Sequence, residues 1–146
     1  MTAPVFVDTN VFIYSLDKAN PGKHESARMW KAEPWKSRLG RISFQVLQEF
    51  YARATQKWPA LRLEVRAELR DLLAWQPVAV DEEILDLAWN TQDRYQLSFW
   101  DSLIVAAAKA ASCRYLLTED FQEGQDLDSV VVVNPFRSEP GEISNS

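Results

Sequence analysis

The sequence predicts an α/β domain in which a central, mainly parallel sheet is covered on both faces by helices, three layers in all. Three observations carry this reading. Short apolar runs alternate along the chain with longer segments of helical period, the pattern that produces parallel strands joined by helical crossovers. The last run, SVVVVNPF, is almost continuous in β-branched residues, as a strand enclosed on both faces requires. The chain has 146 residues and is 47% hydrophobic, enough for the core of one ordinary domain. Residues 1–137 are assigned to that domain, and the polar, aperiodic 138–146 to a disordered tail.

Each element has its own justification. Val5, Phe6 and Val7 form a buried strand ending at Asp8, and Asp8, Thr9 and Asn10 can cap a helix or close a turn. Asn20, Pro21 and Gly22 break the chain before a short helix over HESARMWKA. Arg41 to Phe44 reads either as a short strand or as the start of a helix, and Ser43 is a suitable N-cap for QVLQEFYARAT. Glu49 then lies within a helix, at the boundary between two of its faces. Pro59 stops that helix, and LRLEVRAELRDLLAW has a strong helical period. Val78 to Val80 is a third strand candidate, followed by an amphipathic helix over DEEILDLAWNTQDRY. Ser98 opens a helix whose Leu103, Ala106, Ala107 and Ala110 allow close packing, and RYLLT forms a fourth strand leading to Glu119 and Asp120.

Composition narrows the chemistry. A single cysteine, Cys113, and a single histidine, His24, exclude an internal disulfide and a Cys/His zinc site. Cys113 reads as a small buried thiol, and His24 as a surface residue. Any metal must therefore be held by oxygen. The net charge of −5 is unevenly spread: residues 1–70 carry 12 basic against 7 acidic residues, the remainder 4 against 14. The basic half is either a set of solvated helix faces or a basic groove. No apolar segment approaches the roughly 18 residues of a membrane span, and the first residues lack a leader pattern. A soluble, cytoplasmic protein is expected.

In open parallel sheets, functional groups collect beyond the carboxyl ends of the strands, where Asp8 and Asp120 fall. Each acid would also serve as a plain helix cap, and Ser98 to Asp101 matches a capping box. The first turn of a helix can nevertheless hold a cap and present a carboxylate to the same cleft. Asp8, Asp101 and Asp120 on one rim would repel one another unless a cation neutralised them. Mg²⁺ or Mn²⁺ is the natural choice for carboxylate and water oxygens.

Four segments together resemble a known family: VDTNVFIYSLD at 7–17, QVLQEFYARAT around Glu49, YQLSFWDSLIVAAAKAASCRYLLTEDF at 95–121, and the closing VVVVNPF. They are similar to a PIN domain of the VapC toxin type over nearly the whole chain. The resemblance implies a PIN-like α/β/α sandwich and a catalytic, metal-holding set of Asp8, Glu49, Asp101 and Asp120. Thr9, Asn10 and Thr118 would be polar support, and Glu119 is a neighbouring rival to Asp120. The implied activity is a Mg²⁺- or Mn²⁺-dependent endoribonuclease that leaves a 5′-phosphate and a 3′-hydroxyl. Metal chemistry of this kind needs no Ser, Cys or His nucleophile. The resemblance further implies the toxin of a type II toxin–antitoxin pair, a VapB-like antitoxin and a homodimer.

Lys18, Lys23, Arg28, Lys36, Arg38 and Arg41 are the cations available for RNA phosphates. Trp30, Trp35 and Trp58 among them either stack on bases or fill core and subunit contacts. Two further readings stand beside this one. A non-catalytic RNA- or protein-binding module would keep the fold alone. A phosphotransfer receiver or a haloacid-dehalogenase-like phosphatase fits less well, the latter because it wants a second Asp where Asn10 stands.

Overall fold

The computed structural model describes residues 2–143. Its sheet has the strand order β2-β1-β3-β5-β4, with β1 at Val5–Val7, β2 at Gly40–Arg41, β3 at Tyr115–Leu117, β4 at Asp126–Leu127 and β5 at Val130–Val133. The β2–β1, β1–β3 and β3–β5 pairs are parallel, and β4 joins β5 antiparallel. Six α-helices are described: α1 Thr9–Tyr14, α2 Pro21–Ser37, α3 Phe44–Lys57, α4 Arg62–Leu72, α5 Glu82–Tyr95 and α6 Phe99–Ala110. All three residues of β1 and of β3 are buried although their side chains alternate between faces, so both faces of the sheet are covered. α6 packs on β3 and β5 with α5 against it, while α1 packs with α2 and α3, and α3 with α4. This is the three-layer sandwich that the alternating sequence predicts.

Local chemistry sets the element ends. Asp8, Ser43, Asp81 and Ser98 each accept a backbone N–H at a helix start. α2 is longer than the short helix expected. It begins with Pro21 in its first turn and continues through Pro34 to Ser37, where Arg38 closes it in the left-handed region at φ 61°. A proline so near the end costs only one N–H bond, and the Pro34 carbonyl still accepts from Leu39 N at 3.2 Å.

Two other expectations change. Val78 to Val80 is not a strand: Val78 alone forms a parallel bridge to Ser43, because the chain opposite it turns at once into α3. A fifth strand, β4, was not expected. It returns on β5 through Asp128 and Ser129, both at positive φ (61° and 82°), as a tight two-residue hairpin turn demands. Within the presumed tail, Pro140–Glu142 form a 3₁₀ turn closed by a capping box with Glu139. Residues 144–146 lie outside the described residues.

The core under β1 is aromatic. Phe12 stacks on Phe50 at 5.4 Å and tilts against Trp75 at 6.1 Å. Trp75 in turn covers Gly40, where an added Cβ would stand 2.7 Å from two atoms of the indole ring. Gly40→Ala is therefore expected to destabilise the fold by about 1–3 kcal/mol through overpacking, read as a melting temperature several degrees lower. A combined Gly40→Ala and Trp75→Phe variant should recover part of that loss; strictly additive losses would show that the indole is not the obstacle.

Candidate active site at the strand exits

Parallel pairing brings the exits of β1 and β3 side by side. Asp8 N donates to Leu117 O at 3.0 Å and Thr118 N to Val133 O at 3.1 Å, so Asp8 and Thr118 leave the sheet at the same height. Asp8, only 5% exposed, caps α1. One of its oxygens accepts from Thr9 N at 2.7 Å and the other from the Thr118 hydroxyl at 2.8 Å. Thr118 Oγ1 also accepts from Asp120 N at 3.1 Å and from Asn10 Nδ2 at 3.3 Å. Asn10 Nδ2 further donates to Asp120 Oδ2 at 3.2 Å. Thr9, Asn10 and Thr118, named from the sequence as polar support, are thus hydrogen-bonded to Asp8 or Asp120.

Glu49 enters from α3. Thr9 Oγ1 donates to its Oε2 at 3.0 Å, and Gln45 Nε2 to its Oε1 at 3.1 Å. Asp101 lies in the first turn of α6, its N–H bonded to the Ser98 hydroxyl at 3.0 Å. Burial pushes the Asp8 carboxyl up to about 6, against the opposing bonds from Thr9 and Thr118, with the charges of Asp120 and Glu49 adding to the rise. Burial also raises Asp101, opposed by the Ser98 bond and reinforced by Asp120 and Glu49. Asp8 and Asp101 therefore feel the same two acids, and the structure brings all four into one electrostatic neighbourhood.

The donor set is entirely oxygen, which matches a hard divalent cation. Asn10 Oδ1 is buried and has no hydrogen-bond partner among the described residues, a condition costing about 1–3 kcal/mol that a polar ligand would relieve. Among the described residues, no group of three or more His, Cys, Asp or Glu side chains stands close enough together to hold a metal ion.

Glu119 faces elsewhere, accepting from Lys23 Nζ at 2.8 Å, while Asp120 turns to Asn10. Lys23 also sits over the rings of Tyr14 and Phe136 at 4.7 and 5.1 Å. Of the six cations named from the sequence, Lys23 is thus paired with Glu119 and Lys18 is exposed beyond α1. Arg28 and Lys36 line an open cavity of about 360 Å³ with Trp35 and Trp75. Arg41 folds back to donate to the carbonyls of Arg38 and Gly40 at 3.1 and 2.8 Å, where β2 begins, away from the strand exits. Trp30 is core, its Nε1 donating to Pro135 O and Ser138 O at 3.0 and 2.9 Å. Sequence reasoning missed Gln45, although its place four residues before Glu49 was a readable signal.

Fold and rim together define an α/β protein with acidic side chains beyond the exits of a parallel sheet. Residues 5–122 match the PIN domain, and the chain belongs to that family. A solved structure described as a toxin–antitoxin complex from Klebsiella pneumoniae shares the fold, with a TM-score of 0.67, 19% identity, and 92% of this chain and 98% of that chain covered. No curated protein matches the chain. Among the described residues, no helix is long and apolar enough to cross a membrane.

The elevated Asp8 carboxyl has a measurable consequence. Its value in the fold, about 6, lies above the ordinary 3.8, so the folded chain holds a proton that the unfolded chain has released. Stability falls as pH rises through this window, and the deficit is complete above it. In EDTA, the wild-type melting temperature should therefore fall between pH 4 and pH 7.5 by more than that of Asp8→Asn, which lacks the titrating group. Parallel pH profiles for the two proteins would show that the Asp8 charge is not a destabilising element.

Proposed function

We propose that this chain is a divalent-metal-dependent endoribonuclease, acting in the cytoplasm as the toxin of a VapBC-type toxin–antitoxin pair. The observation that supports the reading is that burial raises both Asp8 and Asp101, with the charges of Asp120 and Glu49 adding to each rise, a repulsion that a bound cation would relieve. PIN domains are generally nucleases and typically use a divalent metal, which supports the reaction class. The toxin–antitoxin description of the structural neighbour supports an antitoxin partner, a VapB-like chain reaching the acidic cleft. A homodimer is the expected assembly.

In this reading Asp8, Asp101, Asp120 and Glu49 hold Mg²⁺ or Mn²⁺. When bound, such an ion supplies Lewis acidity towards water and the scissile phosphate. The residues of the chain do the rest. The Thr118 hydroxyl fixes Asp8 relative to Asp120, because it donates to one carboxylate and accepts the backbone N–H of the other acid. Thr9 and Gln45 hold the two oxygens of Glu49, and Asn10 Oδ1, unpartnered among the described residues, offers an acceptor for a water proton. Lys23 neutralises Glu119, so the rim carries less negative charge towards an approaching phosphate. The exposed cations Lys18, Arg28 and Lys36 attract RNA at longer range, with Arg38 and Arg41 contributing only to a track that continues past the cleft.

The test is cleavage of single-stranded RNA by the purified chain with Mg²⁺ or Mn²⁺, alongside Asp101→Asn and an EDTA control. Cleavage yielding 5′-phosphate ends is expected, reduced about 10²-fold or more in the variant, as loss of several kcal/mol of transition-state stabilisation implies, and absent in EDTA. Induced in a bacterial host, wild type but not the variant should arrest growth. RNA bound equally by both proteins and cut by neither would make the chain a non-catalytic PIN-fold binding module.

A further inference from the structure

Gln45 stands one helical turn before Glu49 on the same face of α3 and is buried, at 9% exposure. Its amide nitrogen donates to Glu49 Oε1 at 3.1 Å and to the carbonyl oxygen of Trp100 at 3.3 Å. Both partners can only accept, so the amide has one orientation, nitrogen towards the site. The Trp100 carbonyl belongs to the same peptide unit as the Asp101 N–H, which donates to Ser98 Oγ at 3.0 Å. That peptide is therefore pinned at both ends, by Ser98 from its own helix and by Gln45 from α3. The two helices otherwise pack mainly against other elements.

We propose that Gln45 is a positioning residue that sets the Glu49 carboxylate and the first turn of α6 in one register, so that Glu49 and Asp101 serve a single divalent ion. The inference rests on the metal-dependent reading above and adds a residue to it. Glu49 approaches from a helix while Asp8 and Asp120 follow strands, so the strand pairing that aligns those two does not align Glu49 with Asp101. Thr9 holds only one oxygen of Glu49 and does not reach α6. Gln45 is hydrogen-bonded to both. Outer hydrogen bonds to ligating carboxylates typically contribute 10–100-fold to metal affinity, and one donor shared between two ligand-bearing helices falls in that class.

The experiment is calorimetric titration of Mn²⁺ into the purified chain, comparing wild type, Glu49→Ala, Gln45→Met and Gln45→Glu, with melting temperatures recorded in EDTA. Met keeps length and removes the donor, whereas Glu keeps shape and replaces the donor by an acceptor. Both Gln45 variants should bind Mn²⁺ about 10–100-fold more weakly, with metal-free melting shifted by no more than a few degrees. Adding Gln45→Met to Glu49→Ala should weaken binding by much less than it does in wild type, since most of its action passes through Glu49. Mn²⁺ affinity within twofold of wild type in either folded Gln45 variant, or an undiminished loss in the Glu49→Ala background, overturns the proposal. If instead wild type takes up no Mn²⁺, or Glu49→Ala binds as wild type does, it is the metal reading that fails, and the Gln45 proposal falls with it.

Discussion

The hydrogen bond from Thr118 to Asp8 is made possible by the parallel pairing of β1 with β3, and the acidic rim is organised around it. Val5 opposes Tyr115 and Val7 opposes Leu117, so the first polar residue beyond each strand emerges beside the other. A register slip would move every side chain of a strand to the opposite face. The buried valines and leucines of both strands forbid that slip, and in doing so they fix Asp8 and Thr118. Thr118 then collects Asn10 and the Asp120 backbone, and Thr9, next to Asp8, reaches Glu49. Apolar burial in the sheet is thus what holds a polar arrangement at its edge.

That arrangement is costly to the folded chain. Asp8 is buried deeply enough to hold its proton far above the ordinary carboxylate range, and Asn10 keeps a buried oxygen unpaired among the described residues. Strain of this kind is common where a site is built for a ligand rather than for stability. The surrounding core offsets it: Phe6, Phe12, Trp30 and Phe50 are wholly buried, and burying each such side chain is worth on the order of 1.5–3 kcal/mol or more.

Much of this was legible in the sequence, for identifiable reasons. Asp8 and Asp120 follow apolar runs, and a parallel sheet places strand ends on one rim. Ser43 and Ser98 advertise their helices through cap chemistry. The failures are equally physical. Val78 to Val80 has the composition of a strand but no partner to pair with beyond Ser43. β4 is carried by the turn at Asp128 and Ser129, whose left-handed backbone leaves no glycine signature. Of the cations named, α2 carries Lys23, Arg28 and Lys36, while Arg38 is its C-cap and Arg41 lies in β2, so nearness in sequence did not show that Lys23 meets Glu119. Gln45 went unnamed although its spacing from Glu49 places both on one helix face.

The two outermost strands, β2 and β4, have only two residues each. A sheet margin this short offers almost no run of unpaired N–H and C=O groups for a foreign strand to extend. Association through strand addition is thereby disfavoured, and aggregation by edge-to-edge stacking with it. Any lasting contact this chain makes with another polypeptide must then be built from helix surfaces and side chains, where exposed groups such as Trp35, Leu63, Trp89 and Trp100 can distinguish one partner from another in a way that backbone pairing cannot.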